Sequence, residues 1–315
     1  MDAALLAPVC RLWRLRLARL RPELAASGSP DRSLARAVIE DEAGRLLLVE
    51  RLAAEAAPHK LRIAATLAAL AAGGLSVAHP YLADGSGQYV LTMRGSYWQI
   101  SPYLAGEPLP RPDWVCEAWR GRALADFLIA LRRVSVNLSL PAGEPFRMGA
   151  FVAELYERIA RLRPALAGEL APIAGPLLAH WLPPDESLAY AFCHGDPHPL
   201  NVIWQGQAML AVIDWEFFGP KPALYDLALI IGCVGSEEPS ALTGPLVRAL
   251  LARLRASGGS ILDDGALWPL VLAIRFAWLS DWLRRGDEEM VDLEMAYLRL
   301  LMERREELMA TWAGR

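Results

Sequence analysis

The sequence predicts an α+β protein of two lobes, a small β-rich N-terminal lobe and a larger, mainly helical C-terminal lobe. Three observations carry this expectation. The chain has 315 residues, 54% hydrophobic and 22% charged, which is more than one hydrophobic core usually serves. Within about the first 103 residues the pattern reads strand, strand, helix, strand, strand. Beyond that point helical periodicity dominates, broken by one short β-rich stretch at 189–215. The expected lobes are residues 1–103 and 104–315, with a connector near Ser101 to Leu109.

Residues 1 to about 25 read as a helix ending at ASGSPDRS, Ala26 to Ser33. Leu34 to Glu40 and Arg45 to Leu52 read as a hairpin around the turn DEAG. Pro58 suits the first turn of a helix, and Gly73-Gly74 its end. The stretch from Ile63 to Ala83 carries no formal charge and is long enough to span a bilayer. Its many alanines, its glycine pair and Pro80 favour a buried helix followed by a strand. Two strands follow, Gln88 to Met93 and Tyr97 to Tyr103, around the turn RGS. Helices are expected at Trp119 to Val134, at Phe151 to Leu162, from Pro164 to Leu182 with breaks or kinks at Pro172 and Pro176, and from Tyr225 onward.

Composition narrows the function. A formal net charge of -4 supplies no global basic field for a nucleic-acid backbone. Cys10, Cys116, Cys193 and Cys233 lie far apart without a CxxC pair, which argues against a zinc ribbon or disulfide scaffold and suits a reducing cytosol. The arginines between Arg11 and Arg21 resemble a transit peptide, but the preferred reading is an amphipathic helix packed on the domain. No apolar core followed by a small-residue cleavage site is seen, so a cytoplasmic protein without membrane or nucleic-acid partners is expected. Only Lys60 and Lys221 are lysines among the 32 basic residues.

The chemistry concentrates in FCHGDPHPLNVIWQGQAMLAVIDWEFFGPKPALYDLA, Phe192 to Ala228. Asp196 and Asn201 stand five apart across a proline-containing loop. Two short strands, Asn201 to Trp204 and Met209 to Ile213, then deliver Asp214 at a strand end. A carboxylate, an amide oxygen and a second carboxylate form a hard-oxygen set of the kind that suits Mg²⁺.

HGDPHPLN followed by VIDWE resembles the catalytic and metal-binding segments of the aminoglycoside phosphotransferase and choline kinase superfamily, nearest its spore-coat-protein and homoserine-kinase-like branches. The resemblance implies a protein-kinase-like bilobal fold and a small-molecule kinase using ATP and Mg²⁺. Asp196 would then orient the acceptor hydroxyl and take its proton, Asn201 and Asp214 would hold the metal, and His194 would brace the catalytic loop. Asp226, in YDLA, would be a further brace, and Glu216 would touch a metal-bound water. His198 is a candidate for steering substrate, and Cys193 reads as a small buried hydrophobe.

The pattern breaks in the small lobe. Kinases of this fold carry a lysine on the third strand, paired with a glutamate on the next helix. Here the strand reads RLLLVERL, placing Glu50 or Arg51 at that point, and the helix PHKLRIAATLAAL contains no acid. One reading is a charge-swapped pair between Glu50 and Arg62; the other turns Arg51 inward as a plain substitute. GSPDRS, Gly28 to Ser33, stands where a nucleotide-covering loop belongs, and Ser101 to Leu104, with Ser101 and Tyr103, is the candidate adenine-binding connector. Trp278, Asp281, Trp282, Glu288, Glu289 and Glu294 would frame a cationic acceptor such as an amino alcohol or amino sugar. The alternative function is a catalytically impaired kinase-fold protein that binds a nucleotide or a partner. The sequence leaves the oligomeric state open.

Overall fold

The computed structural model describes residues 1–24, 33–140, 143–258 and 264–314. It contains two compact units. The first comprises Met1–Glu107, Asn137–Pro141 and Val202–Glu216, and the second Pro108–Val136, Ala142–Asn201 and Phe217–Arg315.

The first unit opens with helix α1 (Ala3–Leu12), where the Asp2 carboxylate accepts the Leu5 N–H at 2.8 Å and caps the first turn. The helix expected through residue 25 stops here. Arg14 takes a left-handed φ of 58°, and Leu17–Leu20 forms strand β1 against β2 (Ser33–Asp41). The physical reason lies in the arginines. Arg19 and Arg21 reach Glu40 on β2 at 2.8 and 2.7 Å, so the basic run is matched by an acid across the ladder. The sheet continues with β3 (Leu46–Leu52), β4 (Val90–Met93) and β5 (Ser96–Pro102), in the antiparallel order β1-β2-β3-β5-β4. One cluster joins Leu6, Val9 and Cys10 of α1 to Leu47, Val49, Trp98 and Ile100 of the sheet.

Helix α2 (Ala57–Ala72) runs between β3 and β4, with Pro58 in its first turn and Gly74 at φ 97° just beyond its end. The strand expected after it does not form. Residues 75–89 are irregular, anchored by the Leu82 N–H donating to Ile100 O at 2.8 Å.

The second unit begins with helices α3 (Ala118–Ser135), α4 (Met148–Leu162) and α5 (Pro164–Pro176). Pro172 is carried inside α5, and a wide π turn, Leu177–Trp181, follows Pro176. Strand β6 (Tyr190–Cys193) leads to the HGDPHPLN loop, His194 to Asn201. The chain then returns to the first unit as the hairpin β7 (Val202–Gln205) and β8 (Ala208–Val212). Back in the second unit, β9 (Gly219–Pro222) pairs with β6, and five helices follow: α6 (Tyr225–Glu237), α7 (Pro245–Ala256), α8 (Asp264–Arg285), α9 (Glu288–Glu303) and α10 (Arg305–Trp312).

By length and composition α8 is apolar enough to cross a membrane, but 67% of that window is buried inside the unit. Its apolar surface is taken up by packing against α6, α9 and α4.

Candidate active site

The loop after β6 is held from below by Asp226, the second residue of α6. One carboxylate oxygen accepts the His194 N–H and the other the Gly195 N–H, each at 2.8 Å. Burial raises the Asp226 pKa to about 6, while those two N–H groups and nearby Lys221 pull it back. His194 is fully buried, its Nδ1 accepts the Asp196 N–H at 3.1 Å, and its ring meets Phe127 edge-on at 6.3 Å.

Gly195 has φ +90°, and a Cβ built there would lie 2.1 Å from Phe217 O. Only glycine meets both the backbone conformation and the close approach. Asp196 follows directly. The Asn201 side-chain nitrogen donates to Asp196 O and to Asp196 Oδ2, both at 3.0 Å. That pair of bonds orients the amide and leaves its oxygen as the atom available to a cation. His198 Nε2 lies 3.6 Å from Asp196 Oδ1, and burial lowers the His198 pKa to about 4. The imidazole is therefore neutral near pH 7 and adds no cation beside Asp196.

Sequence reasoning assigned no role to Lys221. It is 9% exposed, and its ammonium lies 4.8 Å from the Phe146 ring and 4.9 Å from the Tyr225 ring. Burial lowers its pKa, and its Cε lies 2.8 Å from the point a Gly195 Cβ would occupy. The available signal was its rarity, one of two lysines in an arginine-rich chain.

In the first unit, the hairpin β7–β8 delivers Asp214, exposed and at a left-handed φ of 60°. The hairpin is fastened by the Val212 N–H donating to Val77 O at 3.1 Å and by His79 Nε2 at 2.9 Å from Leu210 O. Glu216 was expected at a metal-bound water. It instead forms an ion pair with buried Lys60 on α2, while its carbonyl lies 2.9 Å from His59 Nε2. A lysine on α2 is thus ion-paired with a glutamate just past the β7–β8 hairpin.

The Glu50–Arg62 pair is not formed. Glu50 is buried and accepts from Ser33 Oγ at 2.8 Å and from the Gln99 amide, and it pairs with Arg36 at 2.7 Å. Arg36 stands directly opposite Glu50 across the β2–β3 ladder, whereas Arg62 is exposed on α2. Arg51 is opposite Trp98, a member of the α1 cluster, so strand alternation turns it away from the Glu50 face. Desolvation, and then the carboxylates of Glu50 and Glu216, raise the pKa of half-buried Tyr81. Ser101 lies in β5 opposite Leu48, and the Tyr103 N–H already donates to Leu46 O at 2.9 Å. Most of the expected nucleotide-covering loop, Gly28 to Arg32, lies outside the described residues.

Trp278 and Trp282 stack at 6.2 Å and 29° on α8 and line a cavity of the second unit. Asp281 does not line it and instead pairs with Arg284 and Arg285 at 2.7 and 2.8 Å. Glu288 pairs with Arg163, and Glu294 with Arg275. The expected acidic frame around an amine is therefore already matched by arginines at these three positions.

Among the described residues no three His, Cys, Asp or Glu side chains converge on a metal position. Magnesium in phosphoryl-transfer sites takes one or two protein oxygens and completes its shell with water and phosphate. The Asn201 amide oxygen and the Asp214 carboxylate are each oxygen donors of that kind.

Comparison with known proteins decides the family. Residues 28–268 match the sequence profile of the phosphotransferase enzyme family. The chain belongs to that family. This phosphotransferase is 28% identical over 243 residues to a homoserine kinase of Rhodopseudomonas palustris (strain ATCC BAA-98 / CGA009), covering 74% of this chain and 72% of that one. It is 27% identical over 223 residues to a homoserine kinase of Methylobacterium radiotolerans, covering 68% and 67%. Among solved structures, an amicoumacin kinase in complex with AMP-PNP and Ca²⁺ aligns with TM-score 0.66 at 14% identity, covering 98% of this chain and 94% of that one. A macrolide 2'-phosphotransferase from Brachybacterium faecium aligns at 0.65 and 17%, covering 94% and 97%. The phosphotransferase shares the α+β, kinase-like fold of these enzymes and is a small-molecule kinase by family.

Proposed function

We propose that this phosphotransferase uses ATP and Mg²⁺ to phosphorylate a hydroxyl group of a small molecule. The observation that carries the reading is the tethered Asp196–Asn201 pair, with two 3.0 Å bonds from one amide nitrogen. In a loose phosphoryl-transfer transition state the protein mainly positions groups and matches charge. A carboxylate held in one place therefore matters more than a strongly basic one. Asp196 orients the acceptor hydroxyl and accepts its proton, and Asp226 holds the loop through His194 and Gly195. The Asn201 oxygen and the Asp214 carboxylate bind the metal. Bound nucleotide and metal supply the transferable phosphoryl group and the counter-charge for it. Arg36, fixed by Glu50, is our assignment for the cation that contacts phosphate in place of the strand lysine.

The relatives are named for homoserine, a macrolide and amicoumacin, so their names do not converge on one acceptor.

The test is calorimetric titration with a non-hydrolysable ATP analogue, with and without Mg²⁺. Wild type, Asp214→Asn and Asp196→Asn are compared, with ADP release measured alongside. Micromolar binding that requires Mg²⁺ and weakens in Asp214→Asn is expected. Asp196→Asn should bind nucleotide normally and lose about 10²- to 10⁴-fold in turnover. Metal-independent binding, equal in Asp214→Asn, would refute the proposal.

A further inference from the structure

Asp214 carries a backbone strain that its own position in the chain does not explain. Among the described residues three non-glycine residues have a positive φ, and two of them, Arg14 and Arg94, lie in turns. Asp214, at φ 60°, lies in no turn and stands two residues past the end of β8. A side chain with a Cβ disfavours this conformation, which persists only where the surrounding structure holds it from more than one side.

Both flanks of Asp214 are held, and by one stretch of chain, α2 and the segment just after it. Upstream, the Val212 N–H donates to Val77 O at 3.1 Å. Val212 O in turn accepts the indole N–H of buried Trp215 at 2.8 Å, a bond that spans Asp214. Downstream, the first turn of α2 grips Glu216 at three atoms. The Lys60 ammonium pairs with Glu216 Oε1, and His59 Nε2 lies 3.5 Å from Oε2 and 2.9 Å from the Glu216 carbonyl oxygen. A carbonyl oxygen only accepts, so His59 Nε2 carries the proton and donates it. The Lys60 and Glu216 side chains are 5% and 9% exposed. At such burial an ion pair is weak evidence for stability, since apolar side chains of similar volume often serve as well. What the charged pair has and an apolar contact lacks is direction.

We propose that Lys60 and His59 are positioning residues for the metal ligand: through Glu216 they hold the Asp214 backbone in its left-handed conformation, so that α2 sets how tightly nucleotide-bound metal is held. This deepens the proposed function and rests on its assignment of Asp214 to the metal. The two side chains act on the backbone two residues beyond the ligand. Removing groups that orient a metal ligand typically weakens metal binding by about 10- to 100-fold. The effect falls on the metal-dependent part of nucleotide binding and spares the metal-free part.

The readout is the magnesium enhancement: the ratio of the dissociation constants of a non-hydrolysable ATP analogue without and with saturating Mg²⁺, measured by calorimetry on the full-length protein. Lys60→Met combined with Glu216→Leu removes the pair without leaving a lone buried charge, and urea midpoints report its stability. This double variant should lose about tenfold or more of the enhancement, with metal-free affinity within about twofold of wild type. His59→Ala, at a side chain 36% exposed where folding is not at stake, removes the bond to the Glu216 carbonyl and should lower the enhancement in the same direction. Added to Asp214→Asn, the double substitution should cause little further loss, because its effect runs through Asp214. A purely structural role would instead restore the enhancement together with the stability. Wild-type enhancement in the double variant, or an equal further loss on top of Asp214→Asn, would overturn the inference. Enhancement unchanged in Asp214→Asn alone would remove the metal assignment of the proposed function, and this inference with it.

Discussion

Replacing Gly195 with alanine tests how tightly the catalytic loop is gauged. The added Cβ would stand 2.1 Å from Phe217 O, 2.6 Å from Phe217 C and 2.8 Å from Lys221 Cε. To reach even 3.0 Å, below which real Cβ atoms are essentially never found, the carbonyl must retreat by about 0.9 Å, the difference of 3.0 and 2.1. Backbone, not a flexible side-chain end, must make that move. A left-handed φ adds about 1–2 kcal/mol for any residue with a Cβ, and forced overpacking typically about 1–3 kcal/mol. The expected loss of stability is therefore about 2–5 kcal/mol. Because Asp196 is the next residue, a displacement of this size should also lower kcat about a hundredfold. Urea unfolding and ADP release on the same preparation measure both effects. A variant within about 0.5 kcal/mol of wild type, with kcat unchanged, would refute the claim that this contact sets the position of Asp196.

Three further outcomes are expected. Glu50→Lys, which restores the lysine common to the fold, should destabilise the protein by about 3–5 kcal/mol, because it sets an ammonium against Arg36 in a buried place; urea midpoints check this, and an unchanged midpoint with tighter nucleotide binding would count against the Arg36–Glu50 pair. Lys60→Met leaves the Glu216 carboxylate without its ammonium and should cost a similar amount, about 3–5 kcal/mol, most of it recovered in the double variant with Glu216→Leu. Asp226 has a folded-state pKa of about 6, above the ordinary 3.8, so the folded chain holds that proton more tightly. Its contribution to stability is greatest below about pH 4 and is lost by about pH 6, a fall of about 3 kcal/mol, and is flat above. Asp226→Asn should remove this slope, as urea titrations across that window would show, while also leaving one loop N–H facing an amide nitrogen.

Much of the fold was legible where local rules act alone. Pro58 and Gly73-Gly74 bound α2 because they solve backbone problems at its two ends. The β2–β3 hairpin follows from alternation around a turn. The bonds within the segment from His194 to Asn201 join side chains that are close in sequence as well as in space. The failures are of a different kind. An Arg-Leu pattern between Arg11 and Arg21 suits a helix or an edge strand equally, and only Glu40 on a neighbouring strand decides it. Strand β9, GPKP, carries two prolines and does not read as a strand, yet in a two-stranded ladder every strand is an edge and a missing N–H is tolerated. The partners of Glu50, Lys60 and Glu216 are tertiary choices. Lys60 and Glu216 are 156 residues apart, and no local pattern marks their meeting.

That last pair has a consequence for the order in which the chain can assemble during synthesis. The first unit is built from three stretches, and residues 108–201 intervene between the sheet and the hairpin that completes it. As the chain emerges from a ribosome, α2 is exposed long before residue 216 exists. Lys60 must stay in water until then, and Val77 O and His79 wait for the same hairpin. The N-terminal unit, though made first, therefore closes only after most of the catalytic segment has been translated. A fragment ending at residue 107 would keep the sheet but lack the strands and the carboxylate that finish it, and anyone grafting this lobe onto another enzyme would have to carry residues 202–216 along with it.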